Sequence, residues 1–292
     1  MKRPKRVAAI HDLSAFGRCS LSVIIPVLSA MGAQVLAVPT ALLSSHTGGL
    51  DGVYREDCAA FADRCRAQWR ALGLGIECVY SGYLGDARRA EQVLAFREAW
   101  PEALLLVDPV LGDHGKPYRS VTGELVAQMR RLAAAADVIT PNLTEAALLL
   151  GEEYRPALTQ TEIPALLGRL CALGPRRVAV TGVEIDGRGM CNLCCDAAAG
   201  RTHLVACTPY PVRYPGTGDI FAAVVTGALL GGEPLERAVS LAADFVEACI
   251  RLTVDSGEPE NHGVFLEPAL GGLIAGMNAS RAESIPFMKA EV

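Results

Sequence analysis

No stretch of this sequence is apolar enough to cross a membrane. The ~18 consecutive apolar residues that a spanning helix needs occur nowhere, although 51% of the 292 residues are hydrophobic. The basic opening "MKRPKR" is followed only by "VAAIH", too short for the apolar region of a secretory signal. The expectation is a soluble, cytoplasmic protein with no membrane partner. A basic stripe is also missing: the formal charge is −5 and the Lys and Arg residues are scattered, so nothing suggests a nucleic-acid groove and no nucleic-acid partner is expected. No Ser/Gly-rich or Pro-rich linker, internal repeat or low-complexity segment divides the chain. One large domain over residues 1–279 is expected, with 280–292 as a loosely packed C-terminal tail. The ten cysteines are spread over a large chain of intracellular character, which favours thiols over disulfides. Their one cluster, "CNLCCD" (Cys191 to Asp196), lacks a second C-x-x-C, and His203 is the only histidine near it. It reads as core thiols in a strand, with a zinc site as the alternative.

Apolar runs of strand length alternate with segments of helical period. "RVAAIH", "AQVLAVP", "IECVYSG", "ALLLVDP", "DVITPN" and "RRVAVTG" read as strands. "SLSVIIPVLSAMG", kinked by Pro26, "DCAAFADRCRAQWRALG", "DARRAEQVLAFREAW", "TGELVAQMRRLAAAA", "TEAALLL" and "TEIPALLGRLCALG" read as helices, the third capped by Asp86. "MCNLCCDA" and "RTHLVACTPY" suggest an edge hairpin, and two long helices close the pattern. Strict alternation of this kind predicts an α/β fold whose mostly parallel sheet is covered on both faces. Ligands of such sheets sit at the carboxyl ends of the strands. There the sequence concentrates Asp, His, Asn, Glu, Thr and Gly, in "HDLSAFG", "PTALLSSHTGG", "SGYLGD", "DPVLGDHG", "TPNLTE", "VTGVE" and "YPGTGD".

The last of these is the most pointed. In "PGTGD" two glycines leave backbone N–H groups uncovered at a helix start. Those donors and the helix dipole favour an anion, such as a phosphoryl group in transfer. Asp219, one residue beyond, is placed to take a proton from an attacking hydroxyl. The plainer reading is a turn in which Thr217 or Asp219 caps the helix.

"PGTGDIFAA" resembles the anion-hole and catalytic-base motif of the ribokinase-like superfamily. The sugar-binding glycine pair of that superfamily is absent near the N-terminus. "LLSSHTGG", "SGYLGD", "DPVLGD" with a later Tyr, and "TPNLTEAALL" instead resemble the vitamin B6 kinases in order and spacing, over about residues 6 to 255. The resemblance implies a three-layer α/β/α sandwich and phosphorylation of the 5′-hydroxymethyl group of pyridoxal, pyridoxine or pyridoxamine. It implies ATP and Mg2+ as cofactors, with a monovalent cation such as K+ as a further candidate, and a homodimer. By the same resemblance Asp219 is the base and Gly216, Thr217 and Gly218 form the anion hole. Asp108, Asp113, Asn142, Glu145 and Thr181 lie toward ATP, with Mg2+ near Asp108 and Glu145. Asp12, Ser14, His46, Thr47, Tyr83 and Tyr118 lie toward the substrate, Tyr118 ending the short loop that folds over ATP.

Each of these has a simpler alternative. Asp108 could only end a strand, Asn142 could be an N-cap and Glu145 a solvated first-turn acid. His46 could hydrogen-bond within its loop, Tyr83 could be a half-buried aromatic, and Asp113 and Tyr118 could be solvated loop residues. "DLSAFG" and "TAL" (Thr40 to Leu42) also resemble the hydroxymethylpyrimidine phosphate kinases of thiamine synthesis, which carry D-x-S-x-x-G where vitamin B6 kinases place a Ser at the position of Asp12. The loop after Asp108 contains no Cys, so the variant with a lid cysteine is not expected. Hydroxymethylpyrimidine is therefore the alternative substrate. A homologue that only binds the cofactor product is the alternative of another class, against which the intact Asp219 argues.

Overall fold

The computed structural model describes residues 3–274 and 282–285. The parallel strands are β1 (Lys5–Ser14), β2 (Ala33–Leu43), β4 (Cys78–Ser81), β5 (Leu104–Val107), β8 (Val138–Ile139) and β10 (Arg177–Ile185). Antiparallel strands extend the sheet at both ends: β3 (Arg55–Asp57) beside β2, and β11 (Gly189–Asp196), β12 (Arg201–Ala206) and β13 (Ala282–Ile285) beyond β10. Short β9 (Ala157–Leu158) also joins β10, giving an eleven-stranded sheet of order β13-β12-β11-β10-β8-β5-β4-β1-β2-β3 with β9 off that path. A separate hairpin pairs β6 (Gly112–Asp113) with β7 (Lys116–Pro117).

Successive strand residues point to opposite faces, and the sequence supplies apolar residues for both. In β1, Ala8 and Ile10 enter one core while Val7 and Ala9 enter the other. The first core is covered by α2 (Ala59–Ala71), α3 (Arg88–Ala99), α4 (Gly123–Ala135), α5 (Leu143–Leu150) and α6 (Ile163–Ala172). The second is covered by α1 (Leu21–Ala30), α7 (Thr217–Gly231), α8 (Leu235–Ser256) and short α9 (Leu270–Ile274). This is the sheet covered on both faces that the alternation predicts, and the three-layer sandwich that the resemblance implies. Helix α1 contains Pro26 without ending at it. Asp86 accepts from the N–H of Arg88 at 2.8 Å, one residue before the formal cap of α3.

The reading of the tail changes, and the reading of the cysteine cluster as core thiols in a strand holds. Ala282–Ile285, assigned to the tail, pairs antiparallel with β12 as an edge strand, while 275–281 and 286–292 lie outside the described residues. The cysteine cluster also resolves. Cys191 and Cys194 are an odd number of residues apart on β11, so they enter opposite cores and cannot share an ion. No cluster of three or more His, Cys, Asp or Glu suited to a metal occurs among the described residues. The Cys195 Sγ instead meets the Cys171 Sγ of α6 at 3.6 Å.

Candidate active site

The carboxyl ends of β1, β4, β5 and β8 deliver their loops to one edge of the sheet, where α7 begins. Gly216 caps α7 with φ 84°, and no side chain caps the helix. A Cβ on Gly216 would lie 1.8 Å from the Arg18 carbonyl oxygen, so only glycine allows this approach. A Cβ on Gly218 would meet nothing within 4 Å, which leaves its side of the turn open. Thr217 Oγ1 donates to the Tyr214 carbonyl at 3.2 Å. The first N–H groups of α7 are therefore free of side-chain partners, as an anion cradle requires.

Asp219 lies in the first turn, half-buried. Its Oδ2 accepts the Ser20 N–H at 2.8 Å. Burial, aided by the negative fields of Asp108 and Asp12, pushes its carboxyl up to about 8. A carboxyl so poised is a far stronger base than an ordinary aspartate once ionised. Tyr80, fully buried on β4, donates its hydroxyl to the Asp219 carbonyl at 3.3 Å and fixes the turn from below.

Asp12 sits where the β1–β2 register shifts between His11 and Leu13. Such a bulge re-aims a side chain. Its Oδ1 accepts the Ser20 hydroxyl at 2.6 Å and its Oδ2 the Ser14 hydroxyl at 3.0 Å. Burial raises its carboxyl and these two bonds oppose the rise. Ser14 thus serves Asp12. Ser20 itself has φ 51° and ψ −134°, a region that costs a residue with a Cβ about 1–3 kcal/mol and clusters at functional sites.

On the other side of the cleft, Asp108 accepts the Thr140 hydroxyl at 3.0 Å, and burial pushes its carboxyl up to about 7. Glu145 is buried too, raised well above the usual range by desolvation and by Asp108. A complete capping box holds it: its Oε2 accepts the Asn142 N–H at 2.8 Å while Asn142 Oδ1 accepts the Glu145 N–H at 3.0 Å. Oε1 takes the Leu111 N–H at 3.2 Å. Asn142 is therefore an N-cap at the edge of the cleft, and the solvated reading of Glu145 does not hold. The Asn142 amide also donates to the Gly112 carbonyl at 2.9 Å, anchoring the β6–β7 hairpin.

That hairpin is the "DHGKPY" loop. Asp113 at its tip is exposed and pairs with His114 at 3.2 Å. Tyr118 is 44% exposed as a residue, yet its hydroxyl is pushed up by burial and then by Glu145, Asp113, Asp219 and Asp108. Thr181 bridges to Asn142, and its N–H donates to the Pro141 carbonyl at 3.0 Å. Thr47 is exposed, and Tyr83 is part-buried with its carbonyl accepting the Thr40 hydroxyl at 3.4 Å. His46 is buried with both ring nitrogens bound to backbone, the Gly48 N–H at 3.0 Å and the Asn261 carbonyl at 2.7 Å. It clamps its loop and has no ring nitrogen left for a ligand.

Sequence reasoning passed over Ser20, Tyr80, Thr140, Thr144 and Asn192. Thr144 accepts the Gly115 N–H at 2.9 Å, and Asn192 accepts the Gly182 N–H at 3.0 Å behind Thr181. Thr140 and Thr144 flank Asn142 within the "TPNLTE" motif, which is a usable signal. Ser20 looked like any first residue of a helix, and Asn192 was hidden among cysteines.

The sequence and the fold are similar to those of known proteins. Residues 25–264 match the phosphomethylpyrimidine kinase family. A pyridoxal kinase PdxY of Rubrobacter xylanophilus is 34% identical over 265 residues, covering 87% of this chain and 89% of that protein. A crystal structure from Bacteroides thetaiotaomicron, described as a candidate phosphomethylpyrimidine kinase and obtained with pyridoxal, superposes with a TM-score of 0.91 at 38% identity, covering 97% of this chain and 100% of that one. Pyridoxal kinase of Lactobacillus plantarum gives a TM-score of 0.84 at 34% identity, covering 93% and 97%. The chain belongs to the phosphomethylpyrimidine kinase family and, within the ribokinase-like fold, to the vitamin B6 kinases.

Proposed function

We propose that this protein transfers the γ-phosphoryl group of ATP to the 5′-hydroxymethyl group of pyridoxal, pyridoxine or pyridoxamine. The observation that carries this reading is the uncapped start of α7 with Asp219 in its first turn. Asp219 takes the hydroxyl proton, the substrate oxygen forms a bond to the γ-phosphorus, and the bond from that phosphorus to the β–γ bridging oxygen breaks, releasing ADP. The N–H groups of Gly216, Thr217 and Gly218 donate to the phosphoryl oxygens as charge gathers there. The hairpin that ends at Tyr118, with Asp113 at its tip, covers the nucleotide side, and Thr181 faces that side. Asp12, Thr47 and Tyr83 line the substrate side.

Asp108 and Glu145 are buried acids that repel one another, a conflict that a divalent cation relieves. The chain offers no three-ligand set among the described residues, which fits Mg2+, an ion that takes one or two carboxylates and fills its shell with water and phosphate. Bound there, Mg2+ would neutralise the phosphate charge. We assign the protein to the cytoplasm, as a homodimer of single kinase domains that uses Mg2+ and a monovalent cation such as K+. The absence of a helix long and apolar enough to span a membrane among the described residues is consistent with that assignment.

The relatives favour vitamin B6 over the thiamine precursor. Against them stands one observation, the buried Asp12-x-Ser14 pair with its hydrogen bond, the pattern shared with hydroxymethylpyrimidine phosphate kinases. ATP consumption with each vitamer and with hydroxymethylpyrimidine, side by side, separates the two. A vitamer should be the best substrate, and a higher kcat/KM for hydroxymethylpyrimidine would establish the alternative. Because Asp12 already spends both oxygens on serines, its remaining lone pairs are what a substrate amine would meet. Asp12→Ser is expected to lower kcat/KM for amine-bearing substrates by about 1.5–3 kcal/mol, the worth of a charged hydrogen bond; an equal loss for all four substrates would remove it as a specificity residue.

A further inference from the structure

Ser20 joins two acids by two different groups. Its N–H donates to Asp219 Oδ2 at 2.8 Å and its hydroxyl to Asp12 Oδ1 at 2.6 Å. It does so at φ 51°, a conformation natural to glycine and strained for serine. Among the described residues only one other side-chain-bearing residue, His114, has a positive φ. A glycine would make the same backbone bond without strain; the serine offsets the strain of its conformation with the buried bond to Asp12.

The surroundings hold this conformation from both sides. The Arg18 carbonyl backs directly onto Gly216 of the anion cradle, and a Cβ on Gly263 would lie 2.9 Å from the Cβ of Arg18. The Arg18 guanidinium is tied to Glu267 at 2.9 Å and stacks 4.7 Å over Phe265. Residues 18–20 thus form a wedge between β1, which carries Asp12, and the turn that carries Asp219.

We propose that Ser20 is a positioning residue for the base. Its backbone, locked at positive φ by the hydroxyl bond to Asp12, holds Asp219 Oδ2 in one orientation and leaves Oδ1 to the incoming hydroxyl. This rests on the kinase reading above. It extends the role of Asp12 from the substrate to the base, through Ser20.

Ser20→Ala and Ser20→Gly separate backbone from hydroxyl, because both lack the bond to Asp12 and only glycine accepts the φ unaided. With pyridoxal and ATP, Ser20→Ala should lose about tenfold or more in kcat with both KM values within about twofold, the mark of an interaction used in the transition state. Ser20→Gly should recover most of that loss, to within about threefold of the parent, even if its melting temperature is the lower of the two. A hydroxyl needed only for packing predicts the reverse order, since glycine is then the more disruptive change. Parental kcat in Ser20→Ala, or kcat no higher in Ser20→Gly than in Ser20→Ala, overturns the proposal. Should Ser20→Ala not fold, a loss of about thirtyfold or more in folded Ser20→Gly also overturns it. Asp219→Asn, assayed in parallel, keeps the two readings apart: normal turnover there removes the base itself, whereas inactive Asp219→Asn with normal Ser20→Ala removes only the role of Ser20.

Discussion

Helices α5 and α7 both begin at the cleft and both carry an acid in the first turn, but they treat their ends in opposite ways. At α5, Asn142 and Glu145 exchange hydrogen bonds in a full capping box, and Glu145 takes a further N–H from Leu111. At α7 a left-handed glycine stands in the cap position, no side chain answers the first N–H groups, and Asp219 accepts a single N–H from another loop. An orphan N–H costs stability when buried and is normally capped. The end that is capped fixes geometry, and the end left open keeps its donors for a ligand. Fold stability and chemistry are thus assigned to different helix starts within one site.

This contrast can be broken by substitution, and the largest effect is expected at α7. Asp219→Asn should lower kcat by ~10²–10⁴-fold with little change in ATP binding, the usual worth of a positioned base; near-normal turnover in folded protein would take Asp219 out of the mechanism. Gly216→Ala sets a Cβ against the Arg18 carbonyl at a φ of 84°, so the open donors must shift. A loss of about 10²-fold in kcat is expected, the scale of one lost oxyanion donor, and steady-state kinetics on the folded variant check it.

On the α5 side the expected effect is on stability. The Asp108 carboxyl is raised to about 7 by burial, so its contribution is fully present below its unfolded value near 4 and is lost as pH rises through about 7. Asp219, at about 8, acts in the same direction. The melting temperature without ligands should therefore fall between pH 5 and pH 9. Asp108→Asn should flatten that fall and raise the melting temperature at pH 9 by about 2–4 °C for each kcal/mol relieved, while impairing activity. An unchanged slope would show that Asp108 is not held in conflict. The smallest effect is expected far from the cleft: Cys194→Ser should keep activity, and metal analysis should find no stoichiometric zinc. Zinc at one per chain, lost in that variant, would overturn the core reading of the cysteines.

Much of this arrangement was legible in the sequence because it depends on local chemistry. "PGTGD" advertises an uncapped helix start, and "NLTE" has the spacing of a capping box. Alternating apolar runs give the sheet and its two covers. What stayed hidden depends on tertiary placement. Nothing in "GRCSLS" says that Ser20 takes a glycine conformation, since that follows from packing against Gly216 and Asp12. The clamp role of His46 needs the Asn261 carbonyl, 215 residues away in sequence. The two-residue strand β9 beside β10 and the pairing of Ala282–Ile285 with β12 are set by neighbours and not by propensity. The C-x-x-C spacing leaves a zinc site open as an alternative until the element is known: on a helix it could place two thiols together, on β11 it separates them.

The account turns on Asp219 being ionised when the hydroxyl arrives. The direct measurement is kcat/KM for pyridoxal from pH 5 to pH 9.5 in the parent and in Asp219→Asn. A carboxyl raised to about 8 predicts that the parent loses activity as pH falls through that region, close to tenfold per unit well below it, and that Asp219→Asn shows a low rate without this limb. The same acidic limb in both proteins would contradict the assignment of Asp219 as the base.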